Sequence, residues 1–154
     1  MPPGHDMFIT DWKNARDIPR INGCFALDES IGHVIRFLEA IGPGAYAVAV
    51  CQPTVAVLAA VALMAEAGTP AQPRSMTLTA GPIDTKINPT KVIDLAMSQP
   101  TSWFEKNLIC MVPWGIPGSR RRDYPDILQL GGFISMNLDC HVTAHLAQFR
   151  DQVL

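Results

Sequence analysis

The sequence is poor in charge and in aromatic residues: 17% of its 154 residues are Asp, Glu, Lys or Arg, and 7% are Phe, Trp or Tyr. With 48% apolar residues, that balance excludes a disordered or fibrous chain and leaves enough apolar surface for one globular core. Basic clusters are missing apart from Arg120-Arg121-Arg122, and the formal net charge is −2, so no electrostatic footprint for nucleic acid is expected. The three arginines, set in a Pro/Gly-rich stretch, read as a solvated loop. Paired cysteines are missing too. Cys24, Cys51, Cys110 and Cys140 are widely separated, with no C-x-x-C and no histidine at zinc spacing, which argues against a disulfide scaffold or a structural zinc and for a reducing cytoplasmic setting. The start of the sequence lacks the layout of a signal peptide, and the apolar stretch from Val55 to Met64 is too short to span a bilayer, so a soluble chain with no membrane span is expected. No G-x-G-x-x-G or P-loop is present, and no metal or organic cofactor is expected.

What the sequence does contain is an alternation of strand-like and helix-like segments. Asp6 to Trp12 is a brief β-prone run, and Asn14 to Gly23 has the composition of a loop. Asp28-Glu29 opens a segment with Ile31, Val34, Ile35, Leu38 and Ile41 at helical spacing, closed by Gly42-Pro43-Gly44. Ala45 to Val50 reads as a strand, the alanine-rich stretch from Val55 to Met64 as a helix buried on most of its circumference, and Ser75 to Ala80 as the next strand. Such alternation predicts an α/β fold with a parallel sheet, in which ligands sit beyond the carboxyl ends of the strands. From Asn88 onward the pattern changes. A short helix from Pro89 through Met97, an aromatic patch at Trp103-Phe104, a loop from Pro113 to Gly118 and helices over 124–136 and 141–153 predict a helical region with no further strand. The expected division is therefore residues 1–88, a sheet-bearing core, and residues 89–154, a helical cap or lid.

The segment Ala45-Tyr46-Ala47-Val48-Ala49-Val50-Cys51-Gln52-Pro53-Thr54 carries the chemistry. A strand that stops at a cysteine and runs at once into a helix has the layout of a nucleophile elbow, where a strained turn lifts the reactive atom clear of the sheet. Cys51 is the candidate nucleophile. Gln52, the next residue, is the candidate oxyanion donor through its backbone N–H alone. Pro53 suits the first turn of a helix, because an N–H there has no helical partner anyway. Ala49 and Pro53 stand where G-x-S-x-G has glycines, so the motif is met in layout and not in letters. A base is harder to find. His5 and His33 read as surface residues; His141 and His145 share one face of a predicted helix, but without further ligand spacing they read as packing or hydrogen-bonding residues. Asp84 reads as a turn residue at the end of a strand.

Val48-Ala49-Val50-Cys51-Gln52-Pro53, followed by Leu58-Ala59-Ala60-Val61-Ala62-Leu63-Met64, resembles the intracellular poly(3-hydroxybutyrate) depolymerases of bacteria. The likeness extends to Asp11-Trp12-Lys13-Asn14-Ala15-Arg16, to Pro73 through Leu78 with Gly81-Pro82-Ile83-Asp84-Thr85, and to Tyr124-Pro125, Met136-Asn137, His141 and His145. The resemblance implies an α/β-hydrolase fold, here the central part of its parallel sheet with flanking helices and a cap insertion. It also implies a carboxylic-ester hydrolase that degrades stored polyhydroxyalkanoate through a cysteine nucleophile and an acyl-enzyme. Cys51 matches the nucleophile. The triad aspartate and histidine, and the loop giving the second oxyanion N–H, would lie outside this sequence, which is thus expected to be an internal piece, nearly inactive and aggregation-prone alone. The implied partners are the polyhydroxyalkanoate granule or 3-hydroxybutyrate oligomers, met in the cytoplasm; the oligomeric state stays open. Met111, Trp114, Trp103, Phe104 and Phe133 are candidates for an apolar surface toward polyester. Two alternatives remain: a polyhydroxyalkanoate synthase-like acyltransferase, weakened by the absence of a G-x-C-x-G box, and a non-catalytic granule-binding remnant.

Overall fold

The structure is a computed structural model that describes residues 4, 6–135 and 137–153, for Cys140, His141 and residues 151–153 the backbone alone. It is a mixed α/β protein that divides into two compact units, Cys24–Pro89 and Met1–Gly23 together with Thr90–Leu154.

In the unit Cys24–Pro89 the order is α1 (Leu27–Ile41), β1 (Tyr46–Val50), α2 (Pro53–Glu66) and β2 (Ser75–Thr79). Helix α1 starts where the Glu29 carboxylate turns back to accept the Ala26 N–H at 2.8 Å, satisfying a donor that has no helical partner. It ends at Gly42, whose φ of 89° lies in the left-handed region open to glycine. Leu38 of α1 is buried with Met64 of α2 and Ala71, and Val34, Ile35, Ala45 and Val61 close around them. Helix α2 is apolar on nearly all sides, yet its fully covered line is Thr54, Ala56, Ala60 and Met64. The small alanines on that line allow the helix to approach its neighbours closely.

Strands β1 and β2 pair in parallel, Tyr46 with Ser75 through Val50 with Thr79. Side chains alternate across a strand, and in β1 Ala49 is buried while Tyr46, Val48 and Val50 are exposed. One face of this ribbon is therefore covered and the other is bare.

The other unit contains two 3₁₀ turns, Ala15–Asp17 and Arg20–Asn22, then α3 (Lys91–Ser98), α4 (Thr101–Asn107), β3 (Cys110–Met111), β4 (Arg122–Asp123), α5 (Asp126–Ser135) and α6 (Leu138–Val153). Several sequence expectations change here. Residues 6–14 form no strand: a strand needs a neighbour to pair its backbone, none is present among the described residues, and Phe8 and Ile9 are exposed. The aromatic patch Trp103-Phe104 lies within α4, a helix too short for its periodicity to show, with the two rings edge to face at 5.1 Å. The region expected to lack strands holds a two-residue antiparallel ladder, Cys110 with Asp123 and Met111 with Arg122.

Arg120 and Arg122 are exposed, as a solvated loop would have them, yet each of the three arginines has a partner. The Arg120 guanidinium stacks 4.4 Å above the Trp114 ring, Arg122 pairs with Glu105 at 3.0 Å, and Arg121 donates from Nε to the Ile18 carbonyl (2.6 Å) and from Nη2 to that of Pro19 (2.7 Å). Each cation has a partner suited to it, a π face, a carboxylate or backbone carbonyls.

Candidate active site

The site lies where β1 passes into α2. Cys51 has φ of 65°, one of four non-glycine residues with positive φ among those described. In that conformation the Cβ of an L-residue crowds the backbone, at a cost of about 1–2 kcal/mol, so the surroundings must hold it. They do so from both sides. The Cys51 N–H donates to the Thr79 carbonyl at 2.8 Å, carrying the strand ladder one residue beyond the last pair, and the Cys51 carbonyl accepts from the Thr54 N–H at 3.1 Å and from the Thr54 hydroxyl at 2.7 Å. The thiol-bearing residue is exposed.

Ala80, the residue after β2, also has positive φ, at 53°. Val50 pairs with Thr79, so the two left-handed residues are neighbours across the ribbon, each turning its chain away at the carboxyl end of its strand. Gly81 follows. A Cβ built on Gly81 would overlap the Thr54 hydroxyl and lie 2.5 Å from the Thr54 Cβ, so the loop leaving β2 sits directly on that side chain. Thr54 is accordingly completely buried.

Gln52 follows the turn as the residue before α2, with φ −53° and ψ −40°. Among the described residues no acceptor meets its N–H; Pro53 has none to offer, while those of Thr54 and Val55 are taken by the carbonyls of Cys51 and Gln52. The start of α2 thus leaves the Gln52 N–H beside Cys51 for an incoming negatively charged oxygen.

The remaining sequence candidates are placed as follows. Asp84 shapes its own loop, its Oδ1 accepting the Lys86 N–H at 2.9 Å and its carbonyl the Ile87 N–H at 3.3 Å. His33, the histidine of this unit, lies against the rings of Phe25 and Phe37 at 5.8 and 5.9 Å. In the other unit His145 is exposed on α6; His5 and the side chain of His141 lie outside the described residues. Among the described residues no group of three or more His, Cys, Asp or Glu is placed to hold a metal ion, and no helix is long and apolar enough to cross a membrane. That same unit has a groove of about 410 Å³ lined by Met111, Val112, Ile116, Pro125 and Ile127, with Cys110 at its wall. Of the candidate apolar surface residues, Met111, Trp114 and Phe133 are exposed.

Thr54 and Gly81 were not singled out as site residues by sequence reasoning. The signal was present but short: a hydroxyl residue three positions after the cysteine, in the first turn of the helix, and a glycine directly after the neighbouring strand.

The fold and site define an α/β protein with a thiol on a strained strand-to-helix turn. Residues 80–154 match the family described as PHB de-polymerase C-terminus, which supports a fragment of a PHB depolymerase family protein. No curated protein and no solved structure matches the chain.

Proposed function

We propose that this chain carries the nucleophile and part of the cap of a cytoplasmic carboxylic-ester hydrolase of α/β-hydrolase fold that depolymerises poly(3-hydroxybutyrate). The family match over residues 80–154 supports the substrate class. The observation that carries the mechanism is the strained, exposed Cys51 at the carboxyl end of β1, beside the free Gln52 N–H. In the reaction the Cys51 sulfur attacks the ester carbonyl, the Gln52 N–H steadies the oxygen as it becomes negative, and the alcohol end of the polymer leaves. Water then releases the acyl group from sulfur. On the resemblance, the histidine that takes the thiol proton and its carboxylate partner belong to residues outside this sequence, the division into 1–88 and 89–154 separates core from cap, and Met111, Trp114 and Phe133 face the polyester.

Replacing Cys51 by alanine tests this reading in a protein that includes the sequence. Release of 3-hydroxybutyrate from its oligomers is expected to vanish in Cys51→Ala and to persist in Cys24→Ala and Cys110→Ala. Hydrolysis continuing at the same rate after iodoacetamide has modified Cys51 would falsify it.

A further inference from the structure

Thr54 makes two hydrogen bonds to one atom. Its N–H and its hydroxyl both reach the Cys51 carbonyl, and the glycine at position 81 lets the loop after β2 close over the side chain until nothing of it is exposed. A hydroxyl bonding back to a carbonyl in the preceding turn is a common local arrangement. What differs here is the peptide it holds. The bond from Cys51 to Gln52 is trans, so the Cys51 C=O and the Gln52 N–H lie in one plane and point in opposite directions. Whatever fixes the carbonyl therefore aims the N–H. The carbonyl is drawn toward the helix by Thr54, and the N–H is turned away from it, to the side where it meets no protein acceptor.

We propose that Thr54 is a positioning residue for ester attack: its hydroxyl, clamped by Gly81, holds the Cys51–Gln52 peptide so that the Gln52 N–H is set for the oxyanion. This rests on Cys51 being the nucleophile. The residue touches no reacting atom itself; it acts through the peptide plane. Serine at position 54 keeps the hydroxyl, whereas valine keeps the shape and loses it. Alanine at position 81 leaves the hydroxyl in place chemically and displaces it sterically.

The test separates attack on a carbonyl from attack on a saturated carbon, in a protein that includes this sequence together with the base. With p-nitrophenyl butyrate, the Cys51 sulfur forms a bond to the carbonyl carbon, nitrophenolate leaves, and the thiol proton goes to the base; the intermediate is an oxyanion. With iodoacetamide, sulfur displaces iodide and no oxyanion forms. Both rates are read at Cys51 by peptide mass spectrometry, with Cys24 and Cys110 of the same chain as internal references and circular dichroism as the check on folding. Thr54→Val is expected to lower the ratio of acylation to alkylation at Cys51 about tenfold, less than the ~10²–10³-fold that follows loss of a whole oxyanion donor. Thr54→Ser is expected to restore the ratio, and Gly81→Ala to lower it as Thr54→Val does. If Thr54→Val does not fold, Thr54→Ala takes its place. A ratio unchanged in Thr54→Val overturns the positioning role and leaves the nucleophile standing. A parent chain in which Cys51 is acylated no faster than Cys24 and Cys110 overturns both.

Discussion

At residue scale the decisive feature is a cysteine in a backbone conformation that suits glycine. Such a position persists when neighbouring bonds over-determine it, and here the Thr79 carbonyl holds one side of Cys51 and Thr54 the other. Glycine at position 51 would relieve the crowding at its φ of 65°, against a smaller cost from the greater backbone freedom that glycine has in the unfolded chain. Cys51→Gly is therefore expected to raise stability by about 0.5–1 kcal/mol, read as a higher denaturant midpoint with an unchanged slope. A cysteine there forgoes that stability, as the proposed role of Cys51 as nucleophile would require. The identity of this residue was legible in the sequence, because an apolar run ending at Cys51-Gln52-Pro53 can be read as strand, turn and helix. Its clamp was not. Gly81 is 27 positions from Thr54 (81 − 54), and only the parallel pairing of β1 with β2 brings them together.

At the scale of elements, the segment before the first helix shows how little local pattern decides without a partner. Residues 6–12 have the composition of a strand and form none, whereas the 3₁₀ turns that follow are tied down by contacts from far along the chain. Gly118 donates its N–H to the Arg16 carbonyl at 2.7 Å, with no room for a Cβ, and Arg121 grips the carbonyls of Ile18 and Pro19. The two Arg121 bonds run from a charged donor to backbone carbonyls. Arg121→Ala is expected to destabilise its unit by about 1–2 kcal/mol and to speed amide exchange over residues 15–23, measured by hydrogen–deuterium exchange, with exchange in β1 and β2 unchanged. The helices α1, α2, α3, α5 and α6 were legible from apolar spacing and from Gly and Pro punctuation. Helix α4 and the β3–β4 ladder were not, being too short to show a period.

At the scale of the whole molecule, parallel sheets are normally covered on both faces, but the β1–β2 ribbon is covered on one. Tyr46, Val48 and Val50 are 66%, 71% and 59% exposed, a row of apolar side chains that water meets directly. An open face of this kind favours association. Val48→Lys, which leaves the buried Ala49 face untouched, is expected to reduce light scattering by the concentrated chain relative to wild type, with the same circular dichroism. What the sequence by itself determined is the local grammar: where the longer helices and the strands β1 and β2 form, where glycine and proline end them, and that a cysteine stands at a strand-to-helix junction. Those follow from side-chain periodicity and backbone preference, which neighbouring residues settle among themselves. Tertiary structure alone decided that Cys51 is held at positive φ, that Gly81 seats on Thr54, that Arg121 binds the 3₁₀ segment and that residues 6–12 join no strand ladder. Each of these depends on a contact between residues distant in sequence, and steric fit and hydrogen-bond partners across such distances exist only once the chain has folded.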